Sequence, residues 1–483
     1  MNTIQKIAKN TGFLLVGRIT TKIINLFVII YMVRYLGDAG YGKYAFAFAF
    51  ISFFNIISEL GTHNIVVREI ARSPEIANKL IGNAVLISIV SSITALSLSV
   101  LTIHFLDYPV ETKYLVQLAS LELLLGALSP FGAIYEANLE MKYSVIFGVL
   151  NRLFLFVSTF VIIYYDLGLI LLVLATVASD ALYSVLAMIY SRKYIRPKFY
   201  LDIDLCKSLL KESIPLALTS VFIIIYFRID VVMLSMMKGD SEVGIYSAAY
   251  RLTEAFTFIP NIYMVSMFPL MSRYFKNSKE NLTLAYIKSF KYLLSISLPL
   301  AAIVTFFADE IIYILYGNQV HEAVAVLKIL IWATAIMFIN YSLVQLLVSI
   351  NRQKVTTIST AICAFINIGL NYLLIPQLSY QGAALATVAT ELINALIMIY
   401  YLPNFISLAK LIYDIRAPVM ASILMFLLMF AINSYNELFA IPIIISYPIL
   451  IYLLGGIDKE DKKLFNKLIG KQMDNNIHAS SVE

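Results

Sequence analysis

The sequence predicts an all-α integral membrane protein of about 14 transmembrane helices, two pseudo-symmetric six-helix lobes followed by two additional helices. Three observations carry that expectation. First, 60% of the 483 residues are apolar and only 14% are charged, whereas soluble domains run at about 45–50% and about 25%. The mean hydropathy of +0.83 agrees. Second, the apolar residues fall into long runs broken by charges, each near the ~20 residues a spanning helix needs. Third, no segment between those runs is long enough for a soluble catalytic domain, although 483 residues of ordinary composition would suggest about three domains.

The spans are placed at 11–33, 44–65, 81–106, 113–135, 143–165, 168–190, 213–237, 244–270, 287–308, 323–350, 355–376, 381–401, 412–433 and 437–455. Span 1 sets Arg18, Thr21, Lys22 and Asn25 at i, i+3, i+4 and i+7, one polar stripe on an apolar helix. Two cations a turn apart repel unless an anion faces them. The stripe therefore lines a watered cavity that receives an anionic group, or it pairs with acids on neighbours such as Glu59. Span 2 carries Ser52, Asn55, Glu59 and His63 near one face, the histidine reading as packed or interfacial rather than as a proton relay. Span 4 holds Glu122. Arg152, beside Asn151 in span 5, lines the same cavity as Arg18 or pairs with Glu122.

Span 6 carries Thr176, Ser179, Asp180 and Tyr183, and span 12 carries Thr387, Thr390, Glu391 and Asn394, both at i, i+3, i+4 and i+7. In span 7, Arg228 and Asp230 are ~200° apart around the helix, so they do not pair with each other. In span 8, Arg251 and Glu254 can pair locally, and Pro260 invites a kink. Lys328 in span 10 reads as a snorkelling residue near a helix end. Asn367 and Asn371 form an i, i+4 pair in span 11. Ionisable groups at bilayer depth cost about 2.5–3.5 kcal/mol or more, and a pure scaffold would have little reason to hold so many.

Of the 36 lysines and arginines, 26 fall on one side of the membrane and 4 on the other, with those at span ends counted to the adjoining loop. The positive-inside rule then puts both termini in the cytoplasm. The N-terminal segment lacks a small-residue cleavage site and reads as retained. The polar, lysine-rich tail from Asp458 reads as disordered at its end. Cys206 and Cys363 give neither zinc spacing nor a disulfide framework, and no cofactor or metal site is expected. The net charge of +6 is spent on orientation, not on nucleic acid. No phosphate-cradling G-x-x-x-x-G-K-[ST], no H-E-x-x-H and no G-x-S-x-G occurs, so the expected chemistry is movement, not bond making.

The chain repeats itself. Gly37, Asp38, Gly42 and Tyr44 recur as Gly239, Asp240, Gly244 and Tyr246, at an offset of 202. Leu174–Asp180 recurs as Leu385–Glu391 at an offset of 211. Repeated halves that move against each other are a transporter architecture. The organisation expected is a lobe over 1–200, a second over 203–403, two further helices over 404–456, and a cytoplasmic tail over 457–483.

Arg34-Tyr35-Leu36-Gly37, followed by Tyr41-Gly42-Lys43-Tyr44, resembles the R-x-L-G…Y-G-x-Y outer-loop signature of Wzx-type polysaccharide flippases. These belong to the multidrug/oligosaccharidyl-lipid/polysaccharide exporter superfamily. The length, twin halves and two extra helices look like that family over nearly the whole chain. The resemblance implies two lobes in a V around a central cavity, and no enzymatic activity. It implies a polyprenyl-diphosphate-linked sugar as substrate, moved from the cytoplasmic to the outer leaflet of the cell membrane. It implies membrane lipids as surroundings, with glycan polymerase and glycosyltransferases as partners. Cavity cations of matching character are Arg18, Lys22, Arg152, Arg228 and Arg251. Glu59, Asp180, Asp230, Glu254 and Glu391 are the candidates for ion coupling or lobe pairing. Fourteen-helix members resemble the lipid II flippase branch, whose last two helices help form a groove for the lipid tail. The rival readings are a cation-coupled multidrug antiporter, a membrane glycan polymerase or ligase, and a non-transporting scramblase or scaffold. The cations of span 1 weigh against the first, and the small outer loops against the second.

Overall fold

A computed structural model describes residues 3–197, 200–432, 440–457 and 461. The described residues form α-helices and two 3-10 turns, with no strand among them. In order they are α1 (Thr3–Glu59), α2 (Thr62–Arg72), α3 (Ala77–Phe105), α4 (Val110–Ser120), α5 (Ser129–Ala137), α6 (Met141–Tyr164), α7 (Gly168–Ser191), α8 (Ile203–Lys238), α9 (Asp240–Phe256), α10 (Phe258–Asn277), α11 (Lys279–Phe306), α12 (Ala308–Tyr316), α13 (Ala323–Ser349), α14 (Gln353–Tyr400), α15 (Leu408–Ile432) and α16 (Ala440–Leu453).

Among the described residues, eleven helical stretches are long and apolar enough to cross a membrane, where the sequence predicts fourteen spans. The difference has a physical cause. As an unbroken rod, α1 would be about 85 Å long, nearly three hydrocarbon thicknesses. It is interrupted at Gly37, with φ 67° and ψ −169°, a conformation that glycine adopts without a Cβ penalty. The 48-residue α14 is interrupted at Ser379, three residues after Pro376. The expected spans 1 and 2, and 11 and 12, therefore each lie within one continuous stretch. The last expected span is the short α16, 14 residues long. The disorder expected of the tail concerns residues that, Asp461 apart, lie outside those described.

Two other expected spans are broken. Span 4 becomes α4, a 3-10 turn over Leu121–Leu128, and α5. Ser58 donates to Leu123 O at 2.7 Å, and a Cβ on Gly126 would overlap the Ser58 hydroxyl, so α1 presses against this turn. Span 8 breaks at Thr257 into α9 and α10. Pro260 then falls in the first turn of α10, where its missing N–H removes no helical bond.

The two halves meet most extensively where α1 packs on α9, around the fully buried Tyr41, Phe46 and Tyr246. The repeated glycines explain this approach. A Cβ on Gly42 would overlap the carbonyl oxygen of Asp240, and one on Gly244 would overlap that of Asp38. Ser241 donates to Asp38 across the same junction. Arg34 reaches over to α12, donating to Leu315 O at 2.7 Å and Ile314 O at 2.5 Å, and so caps orphan carbonyls at that helix end. Arg34, Tyr41 and Gly42 of the signature thus work at the seam between the halves, while Tyr35 donates to Asp166 Oδ1 at 2.6 Å within the first half.

The repeat is also structural. Tyr44 and Thr176 share a hydrogen bond at 3.0 Å, and their counterparts Tyr246 and Thr387 share one at 3.2 Å. The connection between the halves is strapped to α3. Asn83 accepts from Asp202 N at 2.8 Å and donates to Tyr200 O at 3.0 Å, and Lys79 pairs with Asp202. Asp202 also caps α8 through Leu205 N at 3.0 Å. The lysine and that N–H together hold its carboxyl below the usual carboxylate range.

Candidate functional site

Four of the five cations expected from the sequence, Arg18, Lys22, Arg228 and Arg251, come together where α1 faces α8, α9 and α10. Arg18 and Lys22 are exposed on the first arm of α1, and Arg18 Nη1 donates to Asn261 Oδ1 on α10 at 3.5 Å. Neither pairs with Glu59, which was the alternative open to span 1; Glu59 lies near His63 and Asn55. Across the cleft, Arg251 Nη1 donates to Glu254 Oε2 at 2.9 Å, the local i, i+3 pair that the spacing allows. Arg228 Nη2 lies 4.0 Å from Glu254 Oε1, with its guanidinium 6.0 Å from the Tyr250 ring. Lys22 acts electrostatically on the same carboxylate. Three cations from α1, α8 and α9 thus share one acid. Arg228, Arg251 and Glu254 each keep between 26% and 29% of their side-chain surface exposed, so solvent or a ligand reaches the group. Such a centre carries surplus positive charge facing a partly dry cleft, where an anion is held more strongly than in bulk water.

The other expected residues lie at two further places. Arg152 does not join the group around Glu254. Its Nη2 sits 3.9 Å from Asp180 Oδ1, and Asn151 donates to the same oxygen at 2.9 Å and to Ser179 O at 2.7 Å. Arg152 also acts electrostatically on Glu122, whose Oε2 is buried without a hydrogen-bond partner. His63 Nε2 faces Glu136 Oε1 at 3.4 Å, an acid just outside the expected span 4. Lys328 does not simply snorkel; it pairs with Asp309 at 2.7 Å.

The third place is a small polar pocket in the second half, lined by Asp230, Glu391, Thr387, Thr390 and Asn367 among others. Asp230 is 2% exposed. Its carboxylate accepts from Tyr246 and Thr387, both at 2.9 Å, and from Asn371 at 2.6 Å. Asn371 also donates to Asn367 Oδ1 at 2.8 Å, while its own Oδ1 is buried without a partner. Glu391, equally buried, accepts from Asn340 on α13 at 2.7 Å. Asp230 thus meets Tyr246, Asn371 and Thr387 while Arg228 meets Glu254 and Tyr250, and the two do not pair with each other, as their angular separation requires. Among the described residues this buried carboxylate has no cation in contact; it is held by the Tyr246 and Thr387 hydroxyls and the Asn371 amide, from α9 and α14, and such a group can take up a proton or a small monovalent cation.

Sequence reasoning missed Asn261, Glu136 and Asn340, and saw Tyr246 only as part of a repeat. Asn340 carried a signal, as an amide isolated among apolar residues of span 10. Asn261 carried none, because its partner Arg18 is 243 residues away.

The comparisons with known proteins follow the same lines. The family described as polysaccharide biosynthesis protein matches residues 7–275, and the MatE family matches residues 215–373. The relative named "Probable flippase AglR", from Haloferax volcanii, is 22% identical over 93% of this chain and 94% of its own length. The "Capsular polysaccharide biosynthesis protein CapF" of Staphylococcus aureus is 24% identical over 81% of this chain and 98% of its own. The "Probable low-salt glycan biosynthesis flippase Agl15" of Haloferax volcanii is 26% identical, but the match spans 44% of this chain and 47% of the relative. Among solved structures, the lipid II flippase MurJ in an inward closed conformation superposes with a TM-score of 0.75. It is 17% identical, over 94% of this chain and 98% of its own. An inward-facing multidrug resistance MATE family transporter gives 0.68 at 17% identity, over 79% of this chain and 93% of its own. These two likenesses establish the fold. With more than half of its length matched, the chain belongs to the polysaccharide biosynthesis protein family.

Proposed function

We propose that the protein flips a lipid-linked glycan across the cell membrane, with a polyprenyl-diphosphate-linked oligosaccharide as its substrate. The observation that carries this reading is the surplus of cations over acids at the centre formed by Lys22, Arg228, Arg251 and Glu254, with Arg18 at the rim of the same cleft. A diphosphate fits that charge; a cationic drug does not. The flippase names of relatives in Haloferax volcanii support the same reading.

The headgroup enters the cleft from the cytoplasm while the prenyl tail stays in lipid. The cations replace its hydration, which removes the main barrier to spontaneous flipping, the exposure of polar groups to hydrocarbon. The lobes, divided near residue 201, then rock about the seam of Gly42 and Gly244, and the sugar is released outside. In this scheme the Arg34, Asp38 and Gly42 contacts close the outer face, and both termini are cytoplasmic. The Asp230 pocket couples the cycle to a proton or sodium gradient, with Asn371 Oδ1 as a further ligand. The product passes to glycan polymerases and comes from glycosyltransferases on the inner leaflet.

Replacing Arg18 and Lys22 together by alanine, at matched expression, is expected to abolish surface glycan and to leave its lipid-linked precursor on the inner leaflet. Unchanged surface glycan contradicts the reading.

A further inference from the structure

The two arms of α14, joined at the interruption at Ser379, lie side by side. Their side chains show it. Asn371 of the first arm donates to Asp230 Oδ1 at 2.6 Å, and Thr387 of the second donates to Asp230 Oδ2 at 2.9 Å. Further from the turn, Asn367 Nδ2 donates to Thr390 Oγ1 at 3.3 Å, and Ser359 Oγ donates to Asn394 Oδ1 at 2.6 Å. Each pair straddles Ser379, and Asn371 and Thr387 both lie eight residues from it. The turn therefore sets which residues of the two arms stand opposite each other, as the loop of a helical hairpin does. Ser379 is unfavourable in that turn on two counts. Its φ of 50° and ψ of −130° lie where a Cβ is disfavoured. Its Oγ is buried without a hydrogen-bond partner among the described residues. At the offset of 211 that relates Leu174–Asp180 to Leu385–Glu391, the first half has Gly168, with φ 84°. A glycine at 379 would remove both costs. A strained non-glycine persists where its surroundings over-determine it, and such positions gather at functional sites. Here Lys238 Nζ donates to Pro376 O at 2.9 Å, and a Cβ on Gly382 would overlap Leu374 O, so the second arm starts hard against the end of the first.

We propose that Ser379 is a positioning residue: it stiffens the turn so that Asn371 and Thr387 close together on the two carboxylate oxygens of Asp230. A glycine there would leave the arms free to shift against each other, and each donor would then meet the carboxylate on its own. Lys238 ties the same turn to the outer end of α8, one residue before Gly239 and two before Asp240, whose carbonyl lies against Gly42. One turn thus holds both the pocket and the seam between the halves. The grip on Asp230 needs no bound ion; only the sodium effect below rests on the reading of this pocket as a coupling site.

The test is a double-mutant cycle in thermal unfolding of the full-length protein in detergent. Independent sites give additive shifts. Asp230→Asn is expected to shift the unfolding temperature of the parent, and to shift that of Ser379→Gly by about half as much. Ser379→Ala keeps the Cβ and removes only the hydroxyl, so Asp230→Asn should shift it as it shifts the parent. Equal shifts in the parent and in Ser379→Gly, zero included, overturn the proposal. Sodium chloride titrated against choline chloride gives a second readout that a merely structural role would not move. The sodium concentration for half-maximal stabilisation should rise about fivefold in Ser379→Gly and keep the parent's value in Ser379→Ala. The parent's value in Ser379→Gly overturns the proposal. A parent indifferent to sodium, with unequal Asp230→Asn shifts, contradicts sodium coupling at this pocket and supports the positioning role of Ser379.

Discussion

Gly42 and Gly244 occupy equivalent positions in the two repeats, and each is small because the other half's backbone lies where a Cβ would go. Gly42→Ala should push the seam apart at a cost of about 1–3 kcal/mol, the range for overpacking a tight contact. Cysteines replacing Asp38 and Ser241 should cross-link readily, and adding Gly42→Ala should slow that cross-linking about tenfold. An unchanged rate would mean that the seam tolerates the methyl group. Asp230 makes a second residue-level case. Tyr246→Phe removes one of its donors and should cost about 1 kcal/mol in stability, while Asp230→Asn should remove any dependence of transport on the coupling cation. A sodium or pH titration of transport by the two variants separates a coupling role from a purely structural one. Of these residues, the Arg251–Glu254 pair was legible in the sequence, since three residues of helix bring the partners together. The partners of Asp230 were not, because Asn371 and Thr387 lie 141 and 157 residues away on α14.

Helices were legible where apolar runs were uninterrupted and illegible where the interruption was geometric. Nothing in the composition of Leu121–Leu128 marks it as a 3-10 turn; the cause is α1 pressing Ser58 against Gly126. Arg34 was visible as a motif residue, but its task, capping the end of α12, depends on a helix 280 residues away. At this scale the strap between the halves gives a prediction. Asp202→Ala removes both the N-cap of α8 and the partner of Lys79. The cap alone is worth about 1 kcal/mol, so a small fall in unfolding temperature and faster proteolysis between residues 192 and 202 are expected. Asp202→Asn keeps capping ability and should lie between the two. If Asp202→Ala matches the parent on both counts, the strap is not holding the linker.

For the whole molecule, the internal repeat read from short matches at offsets of 202 and 211 reappears as paired contacts, Tyr44 with Thr176 and Tyr246 with Thr387. The halves are not equivalent in charge. Asp230 and Arg228 fall where the first half has Val28 and Leu26 at the same offset, so the buried carboxylate pocket belongs to the second half alone. Meanwhile Lys22 of the first half acts electrostatically on Glu254 of the second, and so adds to the surplus positive charge that Arg228 and Arg251 already give there. That division of labour suits a carrier in which the cleft between halves holds the cargo and one half holds the coupling ion. The most direct measurement of the central claim is leaflet-resolved labelling of a diphosphate-linked oligosaccharide lipid in vesicles containing the purified protein. The account predicts transfer between leaflets by the parent, and loss of most of that transfer in Arg228→Ala/Arg251→Ala at equal insertion. Transfer by that double variant at the parent's rate would contradict it.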